Sequence, residues 1–266
     1  MSTAGERQLA GKVAVITGGS RGIGRAIALR FAAEGAAVVI AARRVAQLEQ
    51  TAAEINASGA RVAWVAADVS READCAAIVE KARQAFGAIH ILVNNAGDYS
   101  PVKPIEEITP AEWDSIIAAH LRGAYLLTRL VLPEMYARGS GVILNISSVS
   151  AKAAFPWSAP YAAAKAGLLG LTRATAAEAA RTGVRVNAMC PGPVPETKMS
   201  KDLGRAIAQR LGISEEKELA DFLEQVLQGR GQTADEIAAA ALFLAGDQAS
   251  AIIGQSLNVD GGMAFY

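Results

Sequence analysis

Short, almost wholly apolar runs alternate along the chain with longer stretches in which apolar residues recur every three or four positions. The first run, Val13–Thr17, predicts a strand buried on both faces, and Gly22–Glu34 predicts a helix that Gly35 ends. The pair of patterns recurs as Val38–Ala42 with Ala46–Ser58, closed by Gly59, and as Val62–Ala66 with Ala73–Phe86, stopped by Gly87. Ile89–Val93 predicts a fourth strand. Thr109 with Glu112 three residues on has the pattern of a capping box, opening a long helix that reaches about Tyr136. Val142–Ile146 and Val184–Met189 predict strands on either side of a helix over Ala159–Arg181. Pro191, Gly192, Pro193 and Pro195 then break the pattern. Beyond them, Lys201–Gln228 predicts one or two helices, Thr233–Leu244 a capped helix and Ser256–Val259 the last strand.

Seven strands separated mostly by helices predict an α/β fold: a Rossmann-like, doubly wound, seven-stranded parallel sheet with helices on both faces. No linker rich in Gly, Ser or Pro interrupts it, so one domain over 1–266 is expected. In such a sheet, ligands gather beyond the C-terminal strand ends, where the loops carrying Gly18, Asn94, Ser148 and Pro191 converge.

Composition narrows the partners. Of the 266 residues, 52% are hydrophobic, with many alanines suited to close helix packing. Lys+Arg and Asp+Glu both number 26, which gives no electrostatic ground for a nucleic-acid partner and little repulsion against self-association. Cys75 and Cys190 make no disulfide framework and match no metal spacing, so buried thiols and no metal are expected. The start MSTAGERQLAGK lacks the apolar stretch of a signal peptide. No uninterrupted run of about 18 apolar residues offers a membrane span. The expectation is a soluble cytoplasmic protein without a membrane partner.

Gly18-Gly19-Ser20-Arg21-Gly22-Ile23-Gly24 joins the first strand to the first helix. A turn without Cβ atoms there brings backbone N–H groups and a helix N-terminus toward phosphate oxygens, as a dinucleotide pyrophosphate requires. An acidic residue ending the second strand would bind the ribose diol of NAD; the chain has Arg43 and Arg44 instead. Arg43, with Arg21 or Arg44, can pair with a 2′-phosphate, which favours NADP(H) over NAD(H). Asp68 after the third strand can accept from the adenine amine, with the Val69 backbone beside it. After the fourth strand, Asn94 and Asn95 can tie neighbouring loops, while Ala96 and Gly97 leave room for a flat or sugar-like ligand.

Tyr161 and Lys165 in YAAAK are i,i+4 neighbours on one helix face, and Ser148 ends the run VILNIS. An ammonium near the phenol favours the phenolate, and lysine can also hold ribose hydroxyls. Serine can hydrogen-bond and polarise a substrate oxygen. Together the group can move a proton at a carbonyl or alcohol carbon. Tyr99, Phe155 and Trp157 can build an apolar pocket or serve ordinary loop packing, and about 198–229 suits a substrate lid. Lys198, Lys201 and Arg205 in that segment can serve an acidic carrier. His90 is read as a structural or surface residue.

From Gly11 to Gly262 the chain resembles the short-chain dehydrogenase/reductase family. The resemblance rests on Thr17–Gly24, Asp68, Asn94–Gly97, Ser148, Tyr161–Lys165, Arg185-Val186-Asn187, Pro191-Gly192 and Val259–Gly262. It implies hydride transfer between nicotinamide C4 and a carbonyl or carbinol carbon, with Tyr161 as acid in reduction and base in oxidation. It also implies no metal, and a homotetramer or, less often, a homodimer. Cofactor contacts are implied for Pro191, Gly192, Val194 and Thr197, where one extra residue relative to the family's PGxVxT alters the register. His120 stands where the family usually has an asparagine whose carbonyl anchors a proton-relay water. The histidine can preserve the relay, exchange a proton itself or fill the space. The resemblance covers reductases of 3-oxoacyl thioesters as well as dehydrogenases of sugars, polyols and other alcohols. A noncatalytic nucleotide-binding regulatory or scaffold protein is a further alternative.

Overall fold

The computed structural model describes residues 7–98 and 101–266. Strands β1 (Val13–Thr17), β2 (Ala37–Ala42), β3 (Val62–Ala66), β4 (Ile91–Asn94), β5 (Gly141–Ile146), β6 (Val184–Pro191) and β7 (Ser256–Val259) form one parallel sheet in the order β3-β2-β1-β4-β5-β6-β7. The strand order reverses between β1 and β4, and a crevice opens there beyond the carboxyl ends of the strands. The helices are α1 (Gly22–Ala33), α2 (Val45–Ala57), α3 (Glu72–Phe86), α4 (Pro110–Ile117), α5 (Gly123–Arg138), α6 (Ala159–Ala179), α7 (Lys198–Leu211), α8 (Glu215–Leu223) and α9 (Ala234–Ala245).

The apolar runs are explained by cover on both faces. Alternation along β1 sends Ala14 and Ile16 to one side, where Phe31, Leu48, Ile55 and Leu242 of α1, α2 and α9 pack. It sends Val15 to the other side, against Ile78, Leu127 and Val131 of α3 and α5. Inside the second half, Asn94 Nδ2 donates to Asn145 Oδ1 at 2.9 Å, and Asn145 Nδ2 to Thr172 Oγ1 at 2.9 Å. This buried chain of amides and hydroxyls joins β4, β5 and α6. The Arg185 guanidinium donates to the carbonyls of Leu244 and Gly246, closing the end of α9, and Asp260 accepts from the N–H groups of Gly262 and Ala264.

Several boundaries differ from expectation for identifiable reasons. Thr109 and Glu112 do make the capping box, but the long helix is interrupted: Ala118–Arg122 forms a π-helical turn between α4 and α5. The fourth strand begins at Ile91 rather than Ile89, because the Ile89 N–H goes to Glu134 and its carbonyl to Arg138. The segment from Lys201 is two helices. Thr197 caps the first three residues earlier than expected, and Gly212 at φ 67° ends it. Ser214 then caps the second, which stops at Leu223. By length and apolarity alone Pro110–Arg138 could cross a membrane; it packs instead on α3, α6, β4 and β5.

Cys75 and Cys190 are both buried thiols. Burial pushes Cys75 up to about 11, and its Sγ lies 3.2 Å from the Val69 carbonyl. His90 is structural: its Nδ1 accepts from the Val13 N–H at 3.0 Å.

Candidate active site

The turn after β1 is shaped by contacts that a side chain would block. Gly18 and Gly22 have φ of 65° and 51°. A Cβ on Gly18 would stand 2.7 Å from Asn95 Nδ2, and one on Gly24 would collide with the Gly18 carbonyl and Asn95. Asn95 Nδ2 donates to the Thr17 carbonyl at 2.8 Å, while Thr17 Oγ1 accepts from the N–H groups of Asn95 and Ala96, each at 3.0 Å. The ends of β1 and β4 are thus tied side by side.

The start of α1, like those of α2, α3, α5 and α6, has no side-chain cap, whereas α4, α7, α8 and α9 are capped by Thr109, Thr197, Ser214 and Thr233. The first N–H groups of α1 lack partners within the helix, and Gly22, Ile23 and Gly24 face the crevice. Open donors at a positive helix end, with no Cβ in the way, fit a pyrophosphate.

Ser20, Arg21, Arg43, Arg44, Asp68 and Val69 line the same cavity farther out. Arg43 forms a 2.7 Å ion pair with Asp98, both half exposed. Burial raises the Asp68 carboxyl, but hydrogen bonds from the Ser70 N–H and hydroxyl, with Arg43 and Arg71 nearby, leave it below its usual value.

At the inner end, Ser148, Tyr161 and Lys165 come together. Ala159 and Pro160 open α6 and place Tyr161 in its first turn, with Lys165 one turn on. The Tyr161 phenol and the Ser148 side chain both line the inner wall of the cavity. Lys165 is only 5% exposed; its Nζ donates to the Ile146 carbonyl at 2.7 Å and lies 5.5 Å from the Tyr161 ring centre. Burial brings its ammonium down to about 8. Burial also holds the Tyr161 phenol above its ordinary value, against the lowering effect of the Ser148 side chain. The phenol is thus neutral near pH 7, and the expected lowering by Lys165 does not prevail.

His120 lies in the π turn and is 2% exposed, with its ring edge-on to Tyr161 at 5.2 Å between centres. Its Nε2 is 3.0 Å from the Asp98 nitrogen and 2.9 Å from the Asp98 oxygen, so it accepts from the N–H or donates to the carbonyl according to tautomer. Nδ1 is buried without a partner among the described residues. Burial first, then the charge of Lys165, takes the imidazole down to about 3. A Cβ on Gly97 would run into the ring. The helix distortion is therefore present with histidine in it, and the side chain packs against the phenol.

Pro191, Gly192 and Val194 line the cavity wall. The extra residue is absorbed in a turn in which Thr197 donates through both N–H and hydroxyl to the Val194 carbonyl, while Glu196 accepts from the N–H of Ala234. Thr197 still faces the turn at Gly22. Phe155 and Trp157 face α7 and α8: Phe155 meets Phe222 at 5.9 Å between ring centres, and the Arg210 guanidinium lies 5.2 Å over the Trp157 ring. Trp157 has φ 61°, a left-handed conformation that no other non-glycine shares among the described residues. Tyr99 lies outside the described residues.

Sequence reasoning missed Met199, Leu203, Ile207, Glu218 and Leu219, which line the same cavity from α7 and α8. The available signal was spacing, since Glu218 stands one turn before Phe222.

The sequence profile of the family described as short chain dehydrogenase matches residues 12–228. A D-beta-hydroxybutyrate dehydrogenase of Cupriavidus necator is 38% identical over 255 residues, covering 96% of this chain and 98% of that protein. The crystal structure of a levodione reductase superposes with a TM-score of 0.91 at 36% identity, covering 96% of this chain and 98% of the other. A variant of the actinorhodin polyketide ketoreductase, crystallised with NADPH, gives 0.92 at 34% identity with the same coverage of both chains.

Proposed function

The chain belongs to the short-chain dehydrogenase/reductase family, oxidoreductases that move hydride between a nicotinamide cofactor and a carbonyl or alcohol carbon, and from this premise we propose that it uses NADP(H) with Tyr161 as acid/base. The observation that carries the proposal is the meeting of Ser148, Tyr161 and the buried Lys165 in the cavity that the uncapped start of α1 also faces.

The bound nicotinamide supplies or takes up the hydride. The rest of the chemistry belongs to this chain. In reduction, Tyr161 gives its phenolic proton to the carbonyl oxygen as negative charge grows there, and Ser148 hydrogen-bonds the same oxygen. Oxidation reverses both roles. A phenol kept neutral by burial suits proton donation. Lys165, brought to about 8, can return a proton to Tyr161 and hold the ribose hydroxyls. His120 is a positioning residue, with its ring against the phenol and its Nε2 on the Asp98 backbone. Gly18, Gly22, Ile23 and Gly24 present the pyrophosphate donors, and Asn95, Ala96, Gly97, Pro191, Gly192, Val194 and Thr197 wall the nicotinamide side. Arg43, with Arg21 and Arg44 beside it, takes the 2′-phosphate by exchanging its ion pair with Asp98.

The substrate side favours a hydrophobic ketone over a sugar, because Phe155, Trp157, Leu203, Ile207 and Phe222 supply its walls. Of the three basic residues that could serve an acidic carrier, Lys198 and Arg205 form exposed ion pairs with Asp202 and Glu215, and Lys201 has none among the described residues. Two similar structures carry reductase names, in keeping with carbonyl reduction. We take 198–229 as a lid within one domain.

The test is initial-rate turnover with NADPH and NADH on hydrophobic ketones, 3-oxoacyl thioesters and ketoses. NADPH preference with turnover of a hydrophobic ketone is expected. Tyr161→Phe should keep nucleotide affinity and lose about a thousandfold in turnover. Preference for NADH would overturn the cofactor assignment, and normal turnover by Tyr161→Phe the role of the phenol.

A further inference from the structure

Of the α7 and α8 residues that line the cavity, Met199, Leu203, Ile207, Leu219 and Phe222 are apolar, Lys198 is paired with Asp202, and Glu218 is the one carboxylate. Glu218 is 9% exposed and lines the cavity shared by Ser148 and Tyr161. Its Oε2 lies against the backbone of α7 where there is no side chain: a Cβ on Gly204 would stand 2.8 Å away. Neighbouring charges are satisfied elsewhere, Lys217 by Asp221 and Arg205 by Glu215. Glu218 has no hydrogen-bond or ion-pair partner among the described residues. Burial, helped by the charge of Asp221, holds its carboxyl above the usual range.

The carboxyl is largely withdrawn from water without a protein partner, its oxygens keeping some contact with solvent, whereas leucine at this position would pack α8 on α7 with no polar group to desolvate. The group faces the space that the substrate must enter, so the missing partner can arrive with the substrate. Resting on the oxidoreductase reading above, we propose that Glu218 is a specificity residue that accepts a hydrogen bond from an ammonium or hydroxyl group at the end of the substrate remote from the reacting carbonyl. The substrate class is then an apolar carbonyl or alcohol compound carrying a distal donor. Substrates with an acidic tail are disfavoured by the same carboxylate.

The experiment uses methyl ketones of graded chain length ending in ammonium, hydroxyl, methyl or carboxylate, with the wild-type protein, Glu218→Gln and Glu218→Leu. At the matching length, wild-type kcat/KM should favour a donor end over methyl by at least about tenfold, with carboxylate poorest, since a site built to pair a polar group rejects analogues lacking it. Glu218→Leu should abolish that preference and raise kcat/KM for the methyl-ended ketone. Glu218→Gln, close in shape, should keep a hydroxyl preference and lose an ammonium preference, which separates the two donors. A donor preference that survives in Glu218→Leu, or an equal loss on every ketone, would overturn the proposal. Wild-type turnover of methyl-ended ketones without end-group preference would overturn the role of Glu218 and leave the oxidoreductase reading standing. Absence of turnover on every ketone would count against that reading instead. Calorimetric affinity for the same ketones then decides Glu218: weaker binding of donor-ended ketones to Glu218→Leu supports it, and equal binding overturns it.

Discussion

The two ends of the cavity are built from different materials. At the cofactor end, backbone does most of the shaping: glycines with positive φ, the open start of α1, and strand ends tied by Thr17 and Asn95. At the substrate end, side chains from α7 and α8 make the wall, and many of the charges around them are exposed ion pairs. Such pairs contribute little each, so this end can be rebuilt by substitution without disturbing the sheet. The comparison separates a cradle built from backbone from a wall built from side chains.

The contrast can be broken most severely at the cradle. Gly24→Ala drives a methyl group into the Gly18 carbonyl and Asn95, and nucleotide affinity by titration should fall at least a hundredfold. Affinity within threefold of wild type would show that the turn is pliable. Next, Arg43→Ala should lower the NADPH-over-NADH preference about tenfold to a hundredfold, as loss of charge-assisted bonds to phosphate requires. An unchanged ratio would remove Arg43 from the phosphate site.

His120 sits where the two ends meet and sharpens the comparison through pH. Its folded value of about 3 lies below its ordinary 6.5, so the unfolded chain binds the extra proton first as pH falls. Its contribution is therefore whole above about 6.5 and is lost progressively toward 3. Thermal melts of His120→Asn should gain on wild type over that window. Parallel melting curves would mean that the imidazole is not buried in its neutral form.

The smallest effect belongs to the lid. Arg210→Ala removes the cation over Trp157 and should raise KM only about two- to fivefold, with kcat little changed. A change as large as that of Arg43→Ala would place the lid under much tighter control than its exposed pairs suggest.

Legibility in the sequence follows the same division. Gly18, Asn95, Ser148, Tyr161 and Lys165 could be read because their spacing encodes strand ends and helix turns. His120 could be flagged, but not its contact with Tyr161, which depends on the π turn and on the missing side chain of Gly97. Glu218 was hidden among the charges of EEKELADF. Its burial depends on α8 folding back on Gly204, a contact between two helices that periodicity does not specify. The positive φ of Trp157 left no trace, since tryptophan has no preference for that conformation.

The π turn also has a consequence in genetic terms. It holds one residue more than an α turn would, so the chain on its two sides is out of phase by about 100° with an unbroken helix. An in-frame loss of one codon within 118–122 would let a regular helix form. The flanking helices would then keep their buried stripes against α6 and the sheet, but the widened turn that holds the histidine against the phenol would be gone. Helicity would survive such a deletion while the site would not, which makes this one extra residue less dispensable than most of the side chains around it.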